Sequence, residues 1–381
     1  MTIGLIVNPV AGIGGPAALA GSDGAAVQRE ALRRGARPRA GERAAEALRV
    51  LASARPGTEV LTAAGPMGED AVAAAGLVAR VVHDPASASS GEDTARAAAA
   101  LRSAGASLIL FAGGDGTARD VARGLPAGAP VLGIPAGVKM YSGCFAVGPA
   151  AAGATAADWL AHPVPTATAE VLDLDEELMR AGRPDPRLFA LVQVPAAPGR
   201  TQARKASTPA SARESVRTAA AGAVAAMRRG VRYLLGPGGT TAEVGRALGL
   251  LTSPLGVDVV QDGRLLARDV TEAQALAAVE GRPAQAVVTV IGGQGFLLGR
   301  GNQQLSARVV SALGADPLLV VATEQKLLDL AGRPLLVDTG DPQLDRRLAG
   351  HARVVTGPST ATLYPVTAAS AAPIEGESTC V

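Results

Sequence analysis

Aromatic residues make up only 2% of this 381-residue chain, and cysteine occurs twice, as Cys144 and Cys380. Two thiols so far apart make no disulfide framework, which fits a reducing compartment. Neither sign of charge forms a long block, and 36 Lys and Arg against 34 Asp and Glu leave a net charge of +2. That balance argues against a nucleic-acid surface or an anionic-membrane surface. No apolar run approaches the roughly 18 residues of a membrane span. The opening MTIGLIVNP lacks a basic segment and breaks at Pro9, so it predicts a strand rather than a signal peptide. The expected location is the cytoplasm. Histidine is scarce too: His83, His162 and His351 stand in no metal-ligand spacing, and no nucleophile elbow accompanies them. Zinc chemistry and Ser-His-Asp hydrolysis are therefore disfavoured, and no protein metal site is expected.

Lysine occurs three times (Lys139, Lys205, Lys326) and asparagine twice (Asn8, Asn302), while Arg outnumbers Lys elevenfold. Where a general bias has replaced lysine, the survivors stand out, because a compact ammonium approaches an oxygen as a point charge and a planar guanidinium does not.

What is present is an alternation. Length alone suggests two domains. Strands are predicted at 3–8, 58–62, 79–82, 107–112 and 130–135, and helices at 41–54, 68–76, 89–103 and from about Ala118 to Arg123. The first run reads as a strand covered on both faces, and the alternation of strand and helix predicts a parallel sheet, so residues 1–150 are expected to form a Rossmann-like α/β domain. An Ala-rich helix from Ala150 to His162 leads into longer strands at 164–175 and 187–194, an antiparallel unit turning at 182–186. Further strands are predicted at 231–235, 256–261, 286–291, 318–322, 334–338 and 352–356, with a helix over 213–229. Residues 151–366 are expected to form a β-rich, α+β second domain, and 367–381 a tail.

The motif with the clearest chemistry is Gly113-Gly114-Asp115-Gly116-Thr117, directly after a buried strand and before a helix. Glycines let backbone approach a polyanion, and the N–H groups of a helix start point partial positive charge toward it. A carboxylate in such a cradle repels phosphate unless it organises Mg²⁺ or accepts a proton from an attacking hydroxyl, which makes Asp115 a candidate general base or metal organiser for phosphoryl transfer. Two further loops leave strand ends in the same way. One begins at Asn8, and the other, Ile134 to Lys139, contains Gly137. If the three strands are neighbours, Asn8, Asp115 and Lys139 converge on one crevice. Taken singly, Asn8 also reads as a turn former, and Thr117 as a helix cap. Thr240, in Gly236-Pro-Gly-Gly-Thr-Thr241, reads equally as an N-cap or as a phosphate or ribose contact. The stretch 291–304, with Arg300 and Asn302, combines glycines with amides suited to a ribose or base edge. Asp173 and Asp175 share a strand face that reads as solvated.

With these motifs assembled, the chain resembles the ATP-NAD kinase superfamily through its Gly-Gly-Asp-Gly-Thr segment. It is most similar to the branch that includes the acetoin-catabolism X proteins, through Asn-Pro-Val-Ala-Gly-Ile-Gly-Gly (8–15), Gly-Ser-Asp-Gly (21–24), Gly-Ile-Pro-Ala-Gly-Val-Lys-Met (133–140) and Gly-Gln-Gly-Phe-Leu-Leu-Gly-Arg-Gly-Asn-Gln-Gln (293–304). The likeness runs over roughly residues 3–366. The resemblance implies a Rossmann-like domain and a β-rich domain with the active site between them. It also implies transfer of the ATP γ-phosphate, with Mg²⁺, to the adenosine-ribose 2′-hydroxyl of NAD. It gives Asp115 the roles of base and phosphate organiser and Gly113, Gly114, Gly116 and Thr117 the cradle. Asn8, Gly137, Lys139, Thr240, Arg300 and Asn302 become nucleotide contacts, and a homo-oligomer, dimer or tetramer, is expected. The Asn-Glu and Gly-Ser-Thr-Ala-Tyr segments of better known NAD kinases are not recognisable here, and Gln202-Ala203-Arg204-Lys205 stands where the closer branch has Gln-Gly-Arg-Lys. The alternatives are a lipid or small-metabolite kinase using the same loop, and a catalytically silent nucleotide-binding regulator.

Overall fold

In a computed structural model, residues 1–19, 25–85, 89–137, 140–174, 186–197, 199–201, 213–253 and 255–371 are described. Five strands, β1 (Ile3–Val7), β2 (Glu59–Ala63), β3 (Val78–His83), β4 (Leu108–Gly113) and β5 (Val131–Pro135), form an all-parallel sheet in the order β3-β2-β1-β4-β5. The connections run outward from β1 in one direction through β2 and β3, and in the other through β4 and β5. The order therefore reverses between β1 and β4, and at such a point the loops leaving the strand carboxyl ends diverge and open a crevice.

Helices α1 (Ala25–Arg33), α2 (Ala40–Ala54), α3 (Glu69–Ala74), α4 (Gly91–Ser103), α5 (Asp115–Gly124) and α6 (Pro149–Ala161) accompany the sheet. Alternate residues of β4 explain why its sequence is apolar throughout. Leu108, Leu110 and Ala112 pack with α2 and α6, while Ile109 and Phe111 pack with α4 and α5. Leu5 and Ile6 divide between the same two cores.

An antiparallel hairpin, β6 (Thr166–Leu174) with β7 (Pro186–Pro195), follows. Val171, Val192 and Val194 bury against Phe111, Ala118 and Val121, so the hairpin belongs physically to the α5 side of the first sheet.

The remainder builds a nine-stranded mixed sheet from β8 (Arg232–Leu235), β9 (Asp258–Gln261), β10 (Arg264–Ala267), β11 (Ala284–Thr289), β12 (Phe296–Leu298), β13 (Leu318–Val321), β14 (Leu335–Val337), β15 (Gly350–Val355) and β16 (Ala361–Ala368). Its order is β10-β9-β8-β11-β13-β15-β16-β14-β12. The central run β8-β11-β13-β15 is parallel, and β15 and β16 pair antiparallel. Helices Arg213–Ala226 and Gly239–Ala247 cover one face, and Glu272–Val279 and Ala307–Ala312 the other. The two sheets share hydrophobic core: Phe296 of β12, Leu336 of β14 and Ala369 pack with Leu5, Leu110 and Trp159. Among the described residues no helix is long and apolar enough to cross a membrane.

Candidate active site

The carboxyl ends of β1, β4 and β5 are adjacent, as convergence of their three loops requires. At the first, Asn8 Oδ1 accepts from the Val10 amide at 3.2 Å, the turn-forming bond expected of Asn before proline. Its Nδ2 donates to Thr117 Oγ1 at 3.0 Å and so ties the β1 loop to the loop after β4. At the second, α5 begins at Asp115 rather than near Ala118, because extended Gly114 serves as N-cap and the motif itself forms the first helical turn. First-turn amides such as those of Gly116 and Thr117 have no partner within a helix and are available to an anion. A side chain at Gly113 would run into Thr117, which is why the strand ends in glycine. At the third, the Gly137 amide donates to Gly113 O at 2.9 Å, and a Cβ at Gly137 would lie 2.5 Å from Gly114 Cα. The β5 loop thus lies directly on the β4 loop.

Asp115 is buried, with 8% of its surface exposed. Its carboxylate accepts from the Tyr141 amide at 2.7 Å and the Ser142 amide at 3.0 Å. Those amides are themselves fixed. Ser142 Oγ accepts from Leu172 N of β6, the Gly143 amide donates to Glu170 O, and Gly133 of β5 pairs with Cys144 and Ala146. The hairpin therefore holds the strip that presents two N–H groups to the carboxylate. Burial, reinforced by the nearby Asp115 charge, pushes the Cys144 thiol far above its ordinary range, so Cys144 stays a protonated core residue.

The second sheet reaches this strip. Gln294 Nε2 donates to Met140 O at 2.9 Å, and Gln303 Nε2 donates to Gly137 O at 3.2 Å. Neither glutamine figured individually in the sequence reading, although both lie in the 291–304 stretch. The two other residues chosen from that stretch are engaged locally. Asn302 accepts from the Gly299 amide and donates to Leu297 O, so both ends of its amide shape its own loop. Arg300 stacks on the Phe296 ring, 4.2 Å from its centroid, and pairs with Asp338 at 2.8 Å. Asp338 also pairs with Arg43 of α2. Burial would raise the Asp338 carboxyl, but the two guanidiniums outweigh it and hold it well below the usual carboxylate range. Burial, with Arg43 beside it, pushes Arg300 down to about 10 in spite of Asp338. Arg43 and Asp338 were not legible as a pair, since 295 positions separate them.

Thr240 lies in the first turn of Gly239–Ala247, buried, and Lys326 Nζ donates to its hydroxyl at 3.2 Å, to Thr289 Oγ1 at 3.4 Å and to Val290 O at 3.2 Å. This places Thr240 at the carboxyl edge of the second sheet's parallel strands. Lys139, Lys205, Asp175, the 21–24 segment and Cys380 lie outside the described residues, as does the side chain of Asp173.

Among the described residues no group of three metal-ligating side chains forms. Mg²⁺ in phosphoryl-transfer sites is held by one or two carboxylates together with substrate phosphates and water, so one carboxylate at a phosphate loop is a sufficient protein contribution.

Two family models match the chain: ATP-NAD kinase N-terminal domain over residues 3–164 and ATP-NAD kinase C-terminal domain over residues 228–366. No curated protein and no solved structure matches it. The first match contains the Asn8, Asp115 and Gly137 loops, and the second contains Gln294, Gln303 and Asp338, which close over them. On both halves of this arrangement, the chain belongs to the ATP-NAD kinase superfamily.

Proposed function

We propose that this chain is an NAD kinase, transferring the ATP γ-phosphate to the 2′-hydroxyl of the adenosine ribose of NAD to give NADP. The observation that carries the reading is the place of Asp115: first turn of a helix, carboxyl end of β4, beside the strand-order reversal, with its carboxylate fixed by two backbone amides. Catalysis of phosphoryl transfer is mainly positioning and electrostatic stabilisation. In this reading the first-turn amides of Gly116 and Thr117 hold the phosphates, with Asn8 fixing Thr117 in place. Mg²⁺, when bound with the nucleotide, neutralises phosphate charge. Asp115 orients the accepting hydroxyl and takes its proton. Gly137, Lys139, Thr240 and Arg300 are retained as nucleotide contacts, and Asn302 as one made through the backbone of the loop it shapes.

Purified protein given ATP, Mg²⁺ and NAD is expected to form NADP, and Asp115→Asn to lower turnover by roughly 10²–10⁴-fold while still binding nucleotide. An Asp115→Asn protein that turns over at the wild-type rate sinks the assignment. A second reading, a nucleotide-binding regulator without turnover, is favoured by the engagement of Asp115 with backbone amides. Nucleotide binding with no product from NAD, NADH or a lipid acceptor would select it. We further propose a cytoplasmic homo-oligomer of the acetoin-catabolism X branch, a state that sedimentation of the full chain reads directly.

A further inference from the structure

The junction of the two sheets forms a small cavity beside the phosphate loop. It is about 40 Å³, room for one compact group, whereas pockets for whole ligands run to roughly 300–1,000 Å³. Its walls include Arg39, Arg43, Arg300 and Asp338, together with Gly12 of the β1 loop and Gly137 of the β5 loop. Arg43 grips both Asp338 oxygens, and Arg300 shares one of them. One carboxylate thus serves two guanidiniums, all three side chains being more than nine-tenths buried. Arg39, half-buried at the start of α2, makes no ion pair among the described residues, and its guanidinium lies against Gly340. Arg300 Nε is buried with no hydrogen-bond partner among the described residues.

Among the described residues the lining therefore carries three guanidiniums against one carboxylate. Glu46 acts on Arg43 and on Arg39, and Asp345 on Arg43, but neither lines the cavity. Burial pushes both of their carboxyls up, and Asp345 already accepts from the Thr339 amide and hydroxyl. Two buried guanidiniums on one buried carboxylate, with Arg300 Nε unused among the described residues, are unfavourable unless an anion visits. Guanidiniums converging from two places, Arg39 and Arg43 one turn apart at the start of α2 and Arg300 after β12, suit a tetrahedral oxyanion, while a planar carboxylate is satisfied by one fork.

We propose that this cavity is a phosphate subsite, in which a phosphoryl group sits between Arg39, Arg43 and Arg300. The phosphoryl is either free phosphate or the pyrophosphate link of a nucleotide. Only the second source rests on the kinase reading. The site lies beside the phosphate loop through Gly137, which touches Gly114, so a nucleotide seated on that loop can extend into it.

The test is calorimetric titration of the full chain with inorganic phosphate, alone and after saturation with NAD. Arg39→Gln is the variant, because Arg39 makes no ion pair or side-chain hydrogen bond among the described residues. Phosphate is expected to bind the wild type and to bind Arg39→Gln about tenfold or more weakly, the loss of one charge-assisted contact, with thermal unfolding of the unliganded protein unchanged. Competition by NAD assigns the site to the nucleotide, and its absence assigns it to free phosphate. Equal phosphate affinity in wild type and Arg39→Gln, or no binding to the wild type, overturns the proposal. Arg39-dependent binding in a protein that makes no NADP would leave the subsite standing and remove the kinase reading.

Discussion

Asn8 and Thr117 are 109 positions apart and meet in one hydrogen bond at the reversal of strand order. Each side chain had an ordinary local explanation, a turn for Asn8 and a cap for Thr117, and half of that holds: Asn8 Oδ1 makes its turn. Thr117 Oγ1 instead accepts from Asn8, and the cap position belongs to Gly114. Thr117→Val keeps the shape and leaves the Asn8 Nδ2 donor unpaired. It is expected to cost about 1–3 kcal/mol, read as a lower denaturation midpoint at unchanged slope in urea. Asp115 was legible in sequence because a carboxylate between glycines at a strand end has few structural reasons to be there. Its amide partners at 141 and 142 were not, since they depend on how the hairpin lays that strip against β5.

At the level of elements, strand and helix alternation through residue 135 matches the sequence expectation except for α1, which was not foreseen; β1 and β4 are apolar on both faces, whereas β3, with Arg80 and His83, is largely exposed. The short elements of the second half were less visible. β16 contains Pro365, a residue that argues against a strand interior, yet it pairs with both β14 and β15. Helices Glu272–Val279 and Ala307–Ala312, of eight and six residues, gain their order from packing on the second sheet. The first also has a capping box, Thr271 accepting from the Gln274 amide and Gln274 accepting from the Thr271 amide, and its leading amide donates to Pro16 O of the β1 loop. Thr271→Ala is expected to destabilise the protein by about 1 kcal/mol. Hydrogen exchange should show the loss concentrated in 272–279 and the 8–18 loop rather than spread over the first sheet.

Across the whole molecule, the Arg43–Asp338–Arg300 group joins α2 of the first sheet to the strand ends of the second, beside a hydrophobic core common to both. Removing one partner of a buried ion group strands the other charges, so Asp338→Asn is expected to cost about 3–5 kcal/mol near neutral pH. The pH dependence has a definite sign. Because the folded carboxyl lies below its unfolded value, its contribution is complete above the ordinary carboxylate range and is lost as pH falls toward the folded value. Urea melts between pH 7 and pH 3 should therefore show stability falling with acid in the wild type, and a flatter acid limb in Asp338→Asn.

From its residues alone the chain determined a parallel sheet with both faces covered, and a glycine-lined carboxylate at the end of its fourth strand. Those are properties of neighbouring residues, set by period, apolar run length and backbone freedom. Tertiary structure decided which loops touch, that a hairpin supplies the amides around Asp115, and that Arg300 faces Asp338 rather than solvent. Contacts between residues 26 to 295 positions apart follow from how two sheets pack on one core, and no local pattern encodes that packing.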